Sequence, residues 1–170
     1  MRVAATGGNS ATNAGMSADI RPVRRGDLPA LIEMCAEHAA YERAAFDPVG
    51  KAGRLAAALF SSPPRVYAWI AWGADRAVGY ATASREFSTW SARDHLHLDC
   101  LFLRSAERGC GIGAMLLRTV VATARAQNLC ELQWQTPDWN ESAIGFYRRF
   151  GARAKSKLRF TLALNAGEAV

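Results

Sequence analysis

The chain has no apolar run near the length of a membrane span, which takes about twenty consecutive apolar residues. Its first residues also lack the continuous hydrophobic region of a secretory signal, so a cytoplasmic location and no membrane partner are expected. Cysteine is sparse: Cys35, Cys100, Cys110 and Cys130 show neither C-x-x-C spacing nor histidine pairing, so reduced thiols and no metal are expected. There is no internal repeat. The net charge of +6 raises the question of nucleic acid, but the cations are spread along the chain instead of clustering with aromatics on one element. A solvated basic surface, with no nucleic-acid partner, is the reading that follows.

What is present fits one domain of ordinary size: 170 residues, half of them apolar. Residues 1–17, rich in Ala, Gly, Asn, Ser and Thr without periodicity, read as a disordered tail before a domain spanning 18–170. The patterning predicts a strand at Ile20–Val23 and a helix capped by Asp27 that runs to about Arg43. A second helix at Lys51–Phe60 precedes strands at Val66–Trp72 and Ala77–Ser84, and a loop Glu86–Arg93 leads to the strand His97–Leu103. A helix Gly111–Ala126, a strand Cys130–Gln135, a helix Glu141–Phe150 and a last strand Ala154–Leu164 complete the order. This succession predicts a mixed α/β fold, one sheet with helices on both faces.

The densest signal is LDCLFLRSAERGCGIGAML, Leu98 to Leu116, which reads as strand, turn and helix. Gly109, Gly111 and Gly113 lack Cβ, so the chain is free to take φ > 0 and gather several N–H groups into one concavity. Apolar Ile112, Met115, Leu116 and Val120 follow at helical spacing, so the positive end of a helix faces that concavity. An anion, above all a pyrophosphate, suits it, and Arg108 and Arg104 add positive charge beside the loop.

A Walker loop is excluded, because Gly113, Ala114 and Met115 stand where Gly-Lys-Ser/Thr is required. Gly109, Gly111 and Ala114 imitate a dinucleotide fingerprint with Glu131 at about the ~20-residue distance. That fingerprint normally opens a doubly wound domain, whereas little chain remains here, and Glu131 begins a strand instead of ending one. Arg108, Gly111 and Gly113, spaced R-x-x-G-x-G, resemble the pyrophosphate turn of the GNAT superfamily of acyl-CoA N-acyltransferases. WNESAIGFYRRFGA, Trp139 to Ala152, looks like that family's second cofactor segment. IRPVRRGD (Ile20 to Asp27) and AAYE (Ala39 to Glu42) extend the likeness to the diamine and polyamine acetyltransferases in particular.

The resemblance implies a mostly antiparallel sheet of six to seven strands, splayed between the His97 and Cys130 strands, with acetyl-CoA as cosubstrate and a homodimer. It implies a cofactor site of Leu101, Phe102, Leu103, Arg108, Gly109, Cys110, Gly111, Ile112, Gly113, Ala114, Asn140, Ser142, Ala143 and Tyr147. Leu101 to Leu103 would pair through their backbone with the pantetheine as with another strand.

Direct transfer to an amine needs a proton acceptor, an acid and accurate positioning. Tyr147 matches the family tyrosine beside the CoA sulfur, and its phenol is suited to protonate the leaving thiolate; a core aromatic with a bonded hydroxyl is the alternative. Asp99 interrupts an apolar strand and falls where the related enzymes have a glutamate, one methylene longer. It is either the base, a water-linked relay, a ligand for the substrate ammonium, or a carboxylate tied to a nearby histidine or arginine. Tyr41 and Glu42 match a Tyr-Glu pair that contacts polyamine, although Glu42 beside Arg43 also suits a solvated charge pair. Asn140 is a good N-cap on structural grounds alone. Cys110 has no adjacent base, and His38, His95 and His97 have no metal-like spacing; His97 is a minor candidate for proton relay.

The expected function is acetyl-CoA-dependent N-acetylation of a small primary amine, diamine-like or polyamine-like, in a ternary complex. The alternatives are another amine acceptor (an amino acid, aminophosphonate, antibiotic or protein N-terminus) or a CoA-binding sensor without turnover.

Overall fold

A computed structural model describes residues 18–162. The expected N-terminal tail, and residues 163 and 164 of the expected last strand, lie outside the described residues. The chain divides into two compact units, one ending at Gln135 and a second beginning at Thr136.

The first unit carries five strands: β1 (Asp19–Pro22), β2 (Tyr67–Trp72), β3 (Ala77–Ser88), β4 (Arg93–Leu103) and β5 (Leu132–Trp134). They lie in the order β1-β2-β3-β4-β5, antiparallel throughout except for the parallel β4–β5 pair. Its helices are α1 (Leu28–Tyr41), α2 (Lys51–Leu59) and α3 (Ile112–Ala126).

Alternation along the strands sorts the core. Ile70 stands opposite Tyr80, and Tyr80 opposite Phe102, so these three share a face with Val23, Leu31, Met34 and Ala68. α1 supplies Leu31 and Met34 to that layer. Trp69, Ala71, Ala81 and Ala83 point the other way and are equally buried. That second face is covered by α3 through Ile112, Leu116, Leu117, Val120 and Ala124. Burial of such side chains at roughly 25 cal/mol per Å² is what holds both layers to the sheet.

Asp27 sits at the N-cap of α1, but its carboxylate does not cap that helix. It takes two bonds from the Arg21 guanidinium, at 2.6 and 2.9 Å, and one from the Arg24 N–H at 2.7 Å. β3 and β4 are longer than the expected Ala77–Ser84 and His97–Leu103 because charged pairs tie their extension: Arg85 to Asp94, and Glu86 to His95 across the hairpin.

The second unit holds α4 (Glu141–Arg149). No strand forms over 154–162, although a strand is expected there; Leu158, Phe160 and Leu162 are exposed, with no apolar layer to receive their alternating side chains. Five strands, not six to seven, are therefore formed among the described residues.

Candidate active site

The β4–β5 ladder is short. It joins Leu96, His97 and Leu98 to Leu132, Gln133 and Trp134, and then stops. From Asp99 to Leu103 the outer edge of β4 pairs with no strand among the described residues, because β5 ends at Trp134. An unpaired strand edge is a row of N–H and C=O groups ready for an extended ligand. Leu101, Phe102 and Leu103 lie on it, with the Leu103 carbonyl already accepting from Arg108 Nε at 3.1 Å.

At the head of this edge the pairing with β3 slips: Thr82 faces Cys100, but Ala83 faces Leu98. Asp99 is the extra residue of a β-bulge, and its side chain is exposed. Sequence alone places Asp99 within a continuous apolar strand, His97–Leu103, with no irregularity. The structure corrects that, and the sign was visible: the apolar positions run Leu96, Leu98, then Leu101, Leu103, a change of phase across Asp99.

Beyond β4, a 3-10 turn (Ser105–Glu107) leads into the glycine loop. Gly109 and Gly111 adopt φ of +82° and +86°, and a Cβ at either would meet no atom within 4 Å. The space beside both glycines is thus open. Gly113 is different: it lies within α3 and has no positive φ, so two glycines and not three shape the turn. Gly111 is the N-cap, and Ile112, Gly113 and Ala114 form the first helical turn, whose N–H groups have no partner within the helix. Cys110 is an exposed free thiol in the loop. These residues fit a bound pyrophosphate; Arg104 does not contribute, because its guanidinium is bonded to Glu33 and Glu37 of α1. The Arg108 guanidinium lies over the Tyr41 ring, 4.4 Å from its centroid, and 6.0 Å from that of Phe102.

That contact leads to the end of α1, where the structure gathers a polar cluster. The Glu42 carboxylate lies 3.4 Å from Nε2 of His38, and Nδ1 of His38 lies 3.0 Å from the Tyr80 hydroxyl. The imidazole stacks on Phe102 at 5.0 Å. Burial lowers the pKa of His38, against the opposing pull of Glu42 and Asp99. Burial raises that of Tyr80 far above a phenol's ordinary value. Burial, and then the Asp99 charge, pushes the Cys100 thiol up to about 12, and burial also raises Cys35. Both thiols are therefore protonated and non-nucleophilic at neutral pH. Asp99 Oδ2 is 3.6 Å from Cys100 Sγ. Tyr41, Glu42 and Asp99 are thus parts of one charged neighbourhood around His38 and Arg108. The sequence reading weighs His38 only as a metal ligand and does not single out Tyr80. The available signal was a histidine on the buried stripe Leu31, Met34, His38, four residues before a glutamate.

In the second unit, Asn140 caps α4, its side chain accepting from the Ala143 N–H at 3.1 Å. Ser142 and Ala143 lie in the first turn, and Tyr147 lies one turn further along, its ring tilted against Phe146 at 5.1 Å. Among the described residues no group of three or more His, Cys, Asp or Glu side chains is placed to hold a metal ion, and no helix is long and apolar enough to cross a membrane.

An open strand edge running into an anion nest at a helix start is the arrangement of an acyl-CoA transferase. Residues 30–152 match the acetyltransferase (GNAT) family, and the chain belongs to it. It is 27% identical over 142 residues to thialysine N-epsilon-acetyltransferase of Sus scrofa, covering 79% of this chain and 83% of that one. It is also 27% identical over 81 residues to L-ornithine N5-acetyltransferase of Arabidopsis thaliana, covering 48% of this chain and 36% of that one. Among solved structures, an aminoglycoside acetyltransferase from an uncultured soil metagenomic sample shares the fold, with a TM-score of 0.75 at 18% identity over 87% of this chain and 97% of that one. The protein is an N-acetyltransferase acting on amines, of a family that uses acetyl-CoA as cosubstrate, and a CoA sensor without turnover is set aside.

Proposed function

We propose that the protein acetylates a small aliphatic diamine or polyamine-like amine by direct attack in a ternary complex. The observation that carries this reading is the pairing of two exposed carboxylates, Asp99 at the bulge and Glu42 at the end of α1, around one imidazole beside the open edge of β4. A molecule with two ammonium groups is drawn to two such charges in a protein whose net charge is +6.

In this reading the pantetheine adds to the edge of Leu101–Leu103 and the pyrophosphate sits on Arg108 to Ala114. Asn140, Ser142 and Ala143 belong to the CoA arm. Asp99, directly or through water, takes the proton from the bound ammonium. The freed nitrogen lone pair forms the C–N bond at the thioester carbonyl, the C–S bond breaks, and the Tyr147 phenol protonates the departing thiolate. Tyr41 and Glu42 receive the far end of the acceptor. A homodimer and a cytoplasmic location go with the family resemblance, and light scattering tests the former.

A second reading is favoured by one observation. The Arg108 guanidinium lies over Tyr41, beside the carboxylates, and suits an acceptor that carries its own carboxylate, an amino acid with a side-chain amine. The relatives named for thialysine and L-ornithine are consistent with it. Acceptor-dependent release of CoA thiol decides between them, measured with short diaminoalkanes, their monoamine counterparts and lysine-like amino acids. A higher kcat/KM for diamines supports the first reading. A preference for the amino acids replaces it with the second.

A further inference from the structure

We propose that His38 is a positioning residue of the acceptor site: its ring, held at Nδ1 by the Tyr80 hydroxyl, holds the Glu42 carboxylate through Nε2. The inference deepens the reading above, on which Glu42 meets the distal ammonium of the acceptor.

His38 occupies the buried stripe of α1, a position that an aliphatic residue fills more simply. Its side chain is 15% exposed, and its ring is stacked on Phe102. An imbedded imidazole is costly unless its nitrogens are satisfied. Here each nitrogen faces one group, the Tyr80 hydroxyl at 3.0 Å and the Glu42 carboxylate at 3.4 Å.

Donor and acceptor accounting leaves one proton arrangement. Glu42 as a carboxylate only accepts, so Nε2 must carry the proton. In the neutral ring Nδ1 is then an acceptor, and it must be met by a donor. Tyr80, 1% exposed, keeps its phenolic proton and supplies it. The reverse tautomer would set the Nε2 lone pair against the carboxylate. The Glu42 carboxylate therefore sets the tautomer, and the Tyr80 hydroxyl, donating to Nδ1, holds the ring in place behind it.

Glu42 needs such a hold. It is the C-cap of α1, where the carbonyl end of the helix repels a carboxylate, and its side chain is 39% exposed. Unheld, it would spread over rotamers directed away from the helix end. The charged and titratable groups that face His38 are Glu42 on its own helix, Tyr80 on β3, Asp99 at the bulge of β4 and Arg108 before α3; Cys35 and Cys100 flank Tyr80. Protonation of His38 sets a full cation beside Glu42 and so weakens its pull on an incoming ammonium. Diamine KM should therefore rise as pH falls below about 6.5, the ordinary histidine value, because the buried ring titrates under it.

The test compares wild type with His38→Leu, His38→Gln and Tyr80→Phe, using acetyl-CoA with a diaminoalkane and with its monoamine counterpart. His38→Leu should raise diamine KM about tenfold, the size of one charge-assisted contact, and leave kcat and monoamine KM nearly unchanged. His38→Gln, which keeps an N–H donor, should restore much of the loss, and the acid rise in KM should vanish in both. Equal KM values in wild type and His38→Leu, or an equal rise for both amines, would overturn the proposal. Imidazole nitrogen NMR of the full chain gives a readout independent of turnover. The Nε2–H tautomer should dominate, Glu42→Gln should lower the His38 pKa further and mix the tautomers, and Tyr80→Phe should leave Nε2–H dominant. A His38 titration indifferent to Glu42→Gln overturns the hold whatever the acceptor is. Failure of every diamine as substrate, with the NMR result intact, instead overturns the reading of the acceptor.

Discussion

Arg104, at the end of β4, is bonded to Glu37 on α1 through Nη2 at 2.7 Å and Nε at 3.1 Å, and Glu33 one turn earlier accepts from the same Nη2 at 2.8 Å. With its side chain 10% exposed, the guanidinium clamps α1 to the end of β4. Arg104→Ala should cost about 1–2 kcal/mol and lower Tm by about 2–8 °C. Differential scanning calorimetry checks this, and because no positive charge is lost from the anion nest, the affinity for CoA should hold.

Asp27 predicts the acid limb of stability. Its hydrogen bonds from Arg21, and then its bond from the Arg24 N–H, hold its carboxyl below the usual value of 3.8 in spite of burial. A group with a depressed folded pKa binds fewer protons folded than unfolded, so its contribution is complete above the unfolded value and is lost as pH falls through the folded one. Urea unfolding of wild type and Asp27→Asn should differ by a constant amount near neutrality. The gap should narrow below about pH 4.

Gly109 and Gly111 test the anion nest without crowding it. A Cβ at either position meets nothing, so the only cost of alanine is a left-handed backbone, roughly 1–2 kcal/mol. Gly111→Ala should lower Tm slightly and weaken acetyl-CoA binding about tenfold as the first N–H groups of α3 turn away. Isothermal titration calorimetry reads the binding. Unchanged affinity would remove the loop from the pyrophosphate site.

Asp99 and Tyr147 should separate by pH. Loss of a general acid or base costs about 10²–10⁴-fold in rate, so Tyr147→Phe should lower kcat with little change in acetyl-CoA KM. Asp99→Asn should lower kcat/KM for the amine and lift the dependence on alkaline pH, since only amine that is already neutral reacts. Asp99→Glu, longer by one methylene, should keep most of the rate. Stopped thiol release across pH distinguishes these outcomes.

The strong local signals of the sequence survive in the structure. The glycine turn, the stripe of α3 and the Asn140 cap each depend on residues within one or two turns of chain, and all three form, the turn on two of its three expected glycines. The extent of β3 and β4 was less legible, because Arg85, Glu86 and Asp94 look like loop residues until a partner strand pairs their charges. The reverse holds for 154–162, where the alternation of Leu158, Phe160 and Leu162 reads as a strand but has no neighbouring strand in its own unit. Arg104 beside the loop suggested an anion ligand; only the tertiary approach of α1 shows where its charge is spent. The imidazole bridge from Glu42 to Tyr80 joins residues far apart in sequence, which no local pattern announces.

The slip at Asp99 makes β4 a strand of two parities. Ahead of it, even-numbered Leu96 and Leu98 turn toward the α3 layer; after it, odd-numbered Leu101 and Leu103 do so. Excising the residue would therefore do more than subtract a carboxylate. It would rotate one half of the strand by half a turn, exchanging the faces on which its leucines and the residues between them lie. In this chain the residue proposed to take the amine's proton also sets the parity of the strand, so a substitution there bears on the proposed chemistry while a deletion would bear on the fold.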